Sequence, residues 1–202
     1  MRAPVKLLLA SSNPGKLREY RSLASGRAVE LELLPGLETL PPFNESAPTF
    51  AENAAGKALH YSCFVKGFVI ADDSGLAVPA LGGAPGVHSA RYAGPRASDA
   101  GRVMKLLLEM RGKQDEARRA RFVCVLAMAR RGRAVAVFSG SAEGALAEEP
   151  HGKEGFGYDP IFFFPSAGRT FAEMTGEEKN RHSHRGCAFR KLLAFVESAE
   201  DL

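Results

Sequence analysis

The stretch Val5-Lys-Leu-Leu-Leu-Ala-Ser-Ser-Asn-Pro-Gly-Lys16 sets the fold class. Val5 to Ala10 is an apolar run too short for a helix of its own, and it reads as a buried strand. Ser11 to Gly15 punctuates it, and a helical pattern follows with Leu17, Tyr20 and Leu23 on one face. Strand, tight turn and helix in that order open an α/β fold. Ligands of such folds are expected at loops that follow strand ends.

Outward from this unit, Val29 to Leu34 reads as a second strand and Pro35 to Pro48 as a long Pro-rich loop carrying Glu38 and Glu45. Long loops of this kind are often functional. Thr49 with Glu52 forms a capping box for a helix running to about Lys66. Phe68 to Ala71 reads as a short apolar strand that stops at Asp72-Asp73-Ser74-Gly75. After Leu76 to Leu81 comes Gly82-Gly-Ala-Pro-Gly86, too irregular for the interior of an element. Ser98 or Asp99 caps a helix to about Met110. Phe122 to Ala129 and Ala134 to Ala142 read as an antiparallel hairpin joined by Arg130-Arg-Gly-Arg133. A glycine-rich loop at Gly152 to Gly157, a strand at Pro160 to Phe164 and a helix from about Arg185 to Ala199 complete a mixed sheet with helices on its faces.

With 202 residues, 45% hydrophobic and 25% charged, the chain falls in the soluble globular range and is expected to form one compact domain over residues 1–202. No run approaches the roughly 20 apolar residues of a membrane span, and Val5 to Ala10 is too short for a signal peptide. No membrane partner and a cytoplasmic location are therefore expected. Cys63, Cys124 and Cys187 lie far apart without a CxxC pair, which points to reduced thiols. The net charge of +4 is mild. The densest basic groups, Arg118, Arg119 and Arg121, then Arg130, Arg131 and Arg133, read as solvated ends of the hairpin. No nucleic-acid partner is expected.

Ser11-Ser12-Asn13-Pro14-Gly15-Lys16 places free backbone N–H groups and the positive end of a helix dipole beside an ammonium, as a phosphate cradle would. It is not a Walker A loop, because Leu17 follows the lysine. An ordinary Asn-Pro-Gly turn is the alternative. Asp72 and Asp73 put two carboxylates at the end of a buried strand, where alternation sends adjacent side chains to opposite faces. One carboxylate with a partner such as Glu45 suits Mg²⁺, which takes a few oxygen ligands and keeps water. The alternative is an Asx-turn ending the strand. Gly155-Phe156-Gly157-Tyr158-Asp159-Pro160 offers a ring flanked by glycines, suited to stacking on a planar ligand or to packing in a turn. Lys179, His184 and Arg185 add two cations and an imidazole, while His182 and His184 lack a third ligand for zinc.

As an ordered set these motifs resemble the inosine triphosphate pyrophosphatase family, which hydrolyses non-standard purine nucleoside triphosphates such as ITP, dITP and XTP. The likeness runs through Ser11-x-Asn13-x-x-Lys16-x-x-Glu19, Thr49-Phe-x-Glu52-Asn53-Ala-x-x-Lys57-Ala58, and Ala71-Asp-Asp-Ser-Gly-Leu-x-Val78. It continues through Leu81-Gly-Gly-x-Pro-Gly86, Ser89-Ala-Arg-Tyr92, Gly155 to Pro160, Glu178-Lys179 and Ser183-His-Arg-Gly186. The resemblance implies a homodimeric α/β fold with an elongated mixed sheet, two lobes around a central cleft, and a Mg²⁺ requirement. It assigns Ser11, Ser12, Asn13, Pro14, Gly15 and Lys16 to the phosphates, with Lys57 and Lys179 as further anionic contacts. Asp73 receives metal and general-base work, Glu45 a metal-ligand role, and Ser74 a place at the substrate. Phe156, Gly157, Tyr158 and Asp159, with His184 and Arg185, match the base-recognition positions. A donor aimed at O6 separates hypoxanthine and xanthine from adenine, which offers an N6 donor there.

Overall fold

The computed structural model describes residues 3–199. Its strands are β1 (Val5–Leu9), β2 (Val29–Leu33), β3 (Phe68–Ala77), β4 (Arg119–Arg130), β5 (Arg133–Leu146), β6 (Phe162–Phe164) and β7 (Arg169–Thr170). The helices are α1 (Pro14–Ala24), α2 (Phe50–Ser62), α3 (Asp99–Glu109), α4 (Gly176–His182) and α5 (His184–Ser198). The seven strands form one mixed sheet in the order β2-β1-β3-β4-β5-β6-β7. β1 pairs in parallel with β2, Leu7 opposite Leu31, and with β3, Leu9 opposite Ile70. β6 runs antiparallel to β5 and to β7. The strand, turn and helix expected at the start are present, and the fold is the expected α/β class.

The chain divides into two compact units. One comprises the residues up to Asp73, Cys124–Gly140, and those from His184 onward; the other comprises Ser74–Val123 and Ser141–Ser183. In the first unit the sheet buries both faces. Leu7, Leu9, Ile70, Leu126 and Met128 pack with Tyr20 of α1 and Phe189 and Leu192 of α5. Leu8, Val69, Ala71 and Ala127 pack with Ala54 and Ala58 of α2. Alternation along β1 explains the split, since odd and even residues point to opposite faces. α5 meets β5 where a Cβ on Gly140 would lie 2.2 Å from the His184 carbonyl oxygen, so only glycine admits this approach. In the second unit Phe122, Phe162 and Phe171 form an aromatic core with Leu106 and Met110 of α3.

Four local expectations are corrected. β3 does not stop at Asp72 but runs on through Asp73, Ser74 and Gly75 to Ala77, which removes the Asx-turn alternative. The strand can continue because both carboxylates are buried with polar partners rather than turned out to water. α2 ends at Ser62, short of Lys66, with the Cys63 N–H reaching back to the His60 and Tyr61 carbonyls. Pro160 lies in a 3₁₀ turn, Asp159–Ile161, and β6 begins only at Phe162. Arg118 is not a solvated hairpin end. Its guanidinium donates to the carbonyls of Leu146 and Ala147, both at 2.6 Å, and of Lys113 at 3.2 Å.

The hairpin itself is as expected, though longer. Arg131 and Gly132 join β4 to β5 with φ of 51° and 72°, the double positive φ of a two-residue turn that matches strand twist. α4 was not anticipated, although Thr175 and Glu178 form a full capping box ahead of it. The three cysteines are free thiols. Among the described residues no helix is long and apolar enough to cross a membrane.

Candidate functional site

Asn13 caps α1, its Oδ1 accepting from the Gly15 N–H at 2.8 Å and the Lys16 N–H at 3.1 Å. Pro14, with no N–H to lose, takes the first helical position. Two of the amides expected to face a phosphate are therefore already satisfied within the turn. What the cradle retains for an anion is the helix dipole, the hydroxyls of Ser11 and Ser12, and the ammonium of Lys16. Ser11 also braces the turn by accepting from the Asn13 N–H at 3.2 Å.

Lys16 reaches from α1 to β3. Its Nζ lies 3.0 Å from Asp72 Oδ1 and donates to the Asp72 carbonyl at 3.4 Å. Asp72 also faces Arg185 of α5, whose Nε is 3.4 Å from Oδ2, while the far edge of that guanidinium is ion-paired with Glu19 of α1. Glu19, Arg185, Asp72 and Lys16 thus form one chain of alternating charge, nearly all of it buried. Burial opposes ionisation of Asp72, but Lys16, Arg185 and Lys57 outweigh it and hold the carboxyl at about 2. Tyr20 and Cys124 line the same buried face, 3.7 Å apart, and burial pushes the Cys124 thiol up to about 12.

Asp73 points the other way, toward α2. Asn53 donates through Nδ2 to Asp73 Oδ2 at 2.9 Å. Burial pushes Asp73 up to about 6; Glu45 and Asp72 add to this, against the Asn53 hydrogen bond and Lys16. Two adjacent carboxyls thus differ widely in proton affinity, one locked as an anion and one poised near neutrality. That is the separation acid–base chemistry needs.

Asn53 also accepts from the Ala47 N–H at 3.0 Å, which ties the Pro-rich loop to α2. Glu45, in that loop, is bound by Lys57 Nζ at 2.5 Å. Burial lowers the Lys57 pKa, yet Glu45 turns the net shift upward. The first unit thus brings together Ser11, Ser12, Lys16, Glu45, Lys57 and Asp73. Asn53 and Glu19 were not singled out as functional by sequence; each stands in the quoted motifs, at a helical spacing from a lysine that gave the only available signal.

The carboxylates of Glu45 and Asp73 supply oxygen donors only, and Glu45 bears electrostatically on Asp73. That donor set suits a hard divalent ion, which would relieve the repulsion. Among the described residues no group of three or more His, Cys, Asp and Glu side chains could hold a metal. An ion bound here would complete its shell with water and substrate oxygens.

The second unit holds Ser74, Phe156 to Asp159 and Lys179. Ser74, half-buried, continues β3. Asp159 Oδ2 accepts from the Phe156 N–H at 2.8 Å and from Lys179 Nζ at 2.5 Å, closing the glycine-rich loop. The Lys179 ammonium sits 5.0 Å from the centre of the Phe156 ring. Gly155 has φ of 74°, and a Cβ there would lie 2.1 Å from Asp159 Oδ2, so glycine is required. The Gly157 N–H donates to Asp99 at 2.6 Å, and the Tyr158 hydroxyl donates to the Ser89 carbonyl at 3.0 Å. Lys179 is buried in this ion pair. His184 is buried in the first unit, at the start of α5 beside Arg185.

The Ham1 family model matches residues 7–195. A dITP/XTP pyrophosphatase from Geobacillus kaustophilus is 50% identical over 93% of this chain and 92% of its own. One from Thermus thermophilus is 48% identical over 94% and 90% of the two chains. The solved structure of a HAM1 protein from Coxiella burnetii superposes with a TM-score of 0.85 at 42% identity, covering 96% of this chain and all of that one. With a match across nearly its whole length, sharing both sequence and sheet, the chain belongs to the Ham1 family.

Proposed function

We propose that this chain hydrolyses non-standard purine nucleoside triphosphates, ITP, dITP and XTP, to the monophosphate and pyrophosphate, and so removes them from nucleotide pools. The observation that carries this reading is the pair of adjacent carboxyls on β3, with Asp72 ionised against Lys16 and Asp73 poised near neutrality beside Asn53. The names of the relatives, dITP/XTP pyrophosphatases, fit the same reaction.

In this scheme Ser11, Ser12, Lys16 and Lys57 hold the phosphates. Lys16 has three donor hydrogens, and Asp72 takes two, leaving one for a phosphate oxygen. Asp73 accepts the proton of a water that attacks the α-phosphorus, and Asn53 keeps the carboxylate aimed. Mg²⁺, held by Asp73 and Glu45, would neutralise phosphate charge and acidify the water. Phe156, Gly157, Tyr158 and Asp159 keep the base-recognition role that the family resemblance gives them, as do His184 and Arg185. Lys179 contributes by fixing Asp159. Assembly as a homodimer and a cytoplasmic location belong to the same proposal.

The test is pyrophosphate release from ITP, dITP, XTP, ATP and GTP with and without Mg²⁺. The expected result is Mg²⁺-dependent turnover of the first three far above ATP and GTP. Equal rates on all five, or orthophosphate as the primary product, would overturn it.

A further inference from the structure

A cavity of about 500 Å³ lies in the first unit, within the roughly 300–1,000 Å³ typical of small-molecule sites. Part of its wall is Ser11, Ser12, Glu45 and Lys57, which belong to the phosphate and metal residues above. Another part is Leu33, Leu37, Leu40 and Phe43. A triphosphate makes no use of that apolar wall, because such side chains offer an anion no hydrogen bond and strip it of water.

The apolar wall is built by the fold. The Phe43 ring lies over Gly56, where a Cβ would come within 2.6 Å of it. The Phe43 N–H donates to the Tyr61 hydroxyl at 3.3 Å, and His60 Nε2 lies 2.7 Å from the Pro41 carbonyl oxygen. Leu37 and Leu40 are carried by a turn closed by the Thr39 and Leu40 N–H groups on the Gly36 carbonyl, at 2.8 and 3.2 Å. The loop therefore presents its apolar side chains from a fixed backbone next to Lys57.

We infer that this cavity is a subsite for a substituent on the leaving group. The enzyme accepts nucleoside polyphosphates whose terminal phosphate carries an apolar ester the size of a phenyl ring. Lys57 takes the terminal phosphate, and the ring lies on Leu33, Leu37, Leu40 and Phe43. This rests on the reading of Ser11 to Lys16 and Lys57 as phosphate-binding residues. The reaction is unchanged in kind. Water oxygen bonds to the α-phosphorus, the bond from that phosphorus to the α–β bridging oxygen breaks, and the proton passes to Asp73. The products are the nucleoside monophosphate and the esterified pyrophosphate. Esterification alters neither of the reacting atoms.

The experiment compares dITP with its γ-phenyl ester in Mg²⁺, following dIMP and phenyl pyrophosphate by phosphorus NMR. The expected kcat/KM for the ester is at least that for dITP, since burying the ring offsets the lost terminal charge. Leu37→Trp, which fills the cavity, should lower the ester at least tenfold and dITP less than twofold. Leu33→Glu, at a position 38% exposed and so tolerant of change, should give the same split. Calorimetry then compares phenyl pyrophosphate with methyl pyrophosphate, which has the same charge and needs no turnover. Phenyl should bind about tenfold tighter to the wild type and no tighter to either variant. An ester cleaved at under a tenth of the dITP rate, variants that slow both substrates alike, or equal binding of the two pyrophosphates would overturn the subsite. Absence of turnover on dITP itself would defeat the proposed function, while the binding comparison would still decide the subsite.

Discussion

Asp72 and Asp73 are neighbours in sequence whose carboxyls serve opposite faces of β3, Asp72 held by Lys16 at 3.0 Å and Asp73 by Asn53 at 2.9 Å. The strand's alternation does what two separate loops would otherwise have to do. It keeps the anion that orients a cation apart from the group that exchanges a proton.

Asp73→Asn should lower kcat by about 10² to 10⁴, the span that general-base catalysis typically contributes. Asp72→Asn should cost less in turnover. Steady-state kinetics at saturating Mg²⁺ check both, and an Asp73→Asn enzyme with near wild-type kcat would place the base elsewhere.

The same carboxyl makes a prediction for folding. Its folded value of about 6 exceeds the ordinary 3.8, so the folded state binds the proton more tightly than the unfolded chain does. Metal-free stability should therefore fall as pH rises from about 4 to 6 and then level, by up to about 3 kcal/mol from this group. Asp73→Asn should flatten that slope and raise stability at pH 7.5, in denaturant titrations with a chelator present. A variant with an unchanged pH profile would contradict it.

Asn53→Ala removes the hydrogen bond to Asp73 and the tie to Ala47. A bond to a charged group is worth about 1.5–3 kcal/mol, so kcat should drop roughly ten- to a hundredfold. KM for dITP should change much less, which separates misaim of the base from loss of phosphate binding.

Glu19→Ala leaves Arg185 buried with half of its neutralising charge gone. Removing one partner of a buried pair costs about 3–5 kcal/mol. Chemical denaturation should show that loss, with Glu19→Gln recovering part of it because its amide oxygen can still accept from the Arg185 guanidinium without the charge.

How far these features were legible varies with what each residue needed. Val5 to Ala10, the Asn-Pro-Gly turn and the Thr49 N-cap were legible because local rules, apolar run, cap and missing proline N–H, settle them without tertiary help, although Glu52 accepts from the Thr49 hydroxyl rather than from its N–H, so the expected box is only half formed. The end of β3 was not. A strand that enters two aspartates looks finished until Lys16, Arg185 and Asn53, far away in sequence, are seen to satisfy them. Arg118 misled in the same way, because nothing local shows that four carbonyls surround it. The placement of Lys179 against Asp159 likewise depends on a fold-level contact rather than on spacing.

The cap that Asn13 places on α1 also bears on how the enzyme behaves between substrates. With the Gly15 and Lys16 amides occupied by its own carbonyl oxygen, the turn is no strong trap for a lone bulk anion. Inorganic phosphate at millimolar levels should compete weakly, and a released product should meet little resistance on its way out. The device favours turnover over storage, and it makes the chain poorly suited to serve as a phosphate sensor.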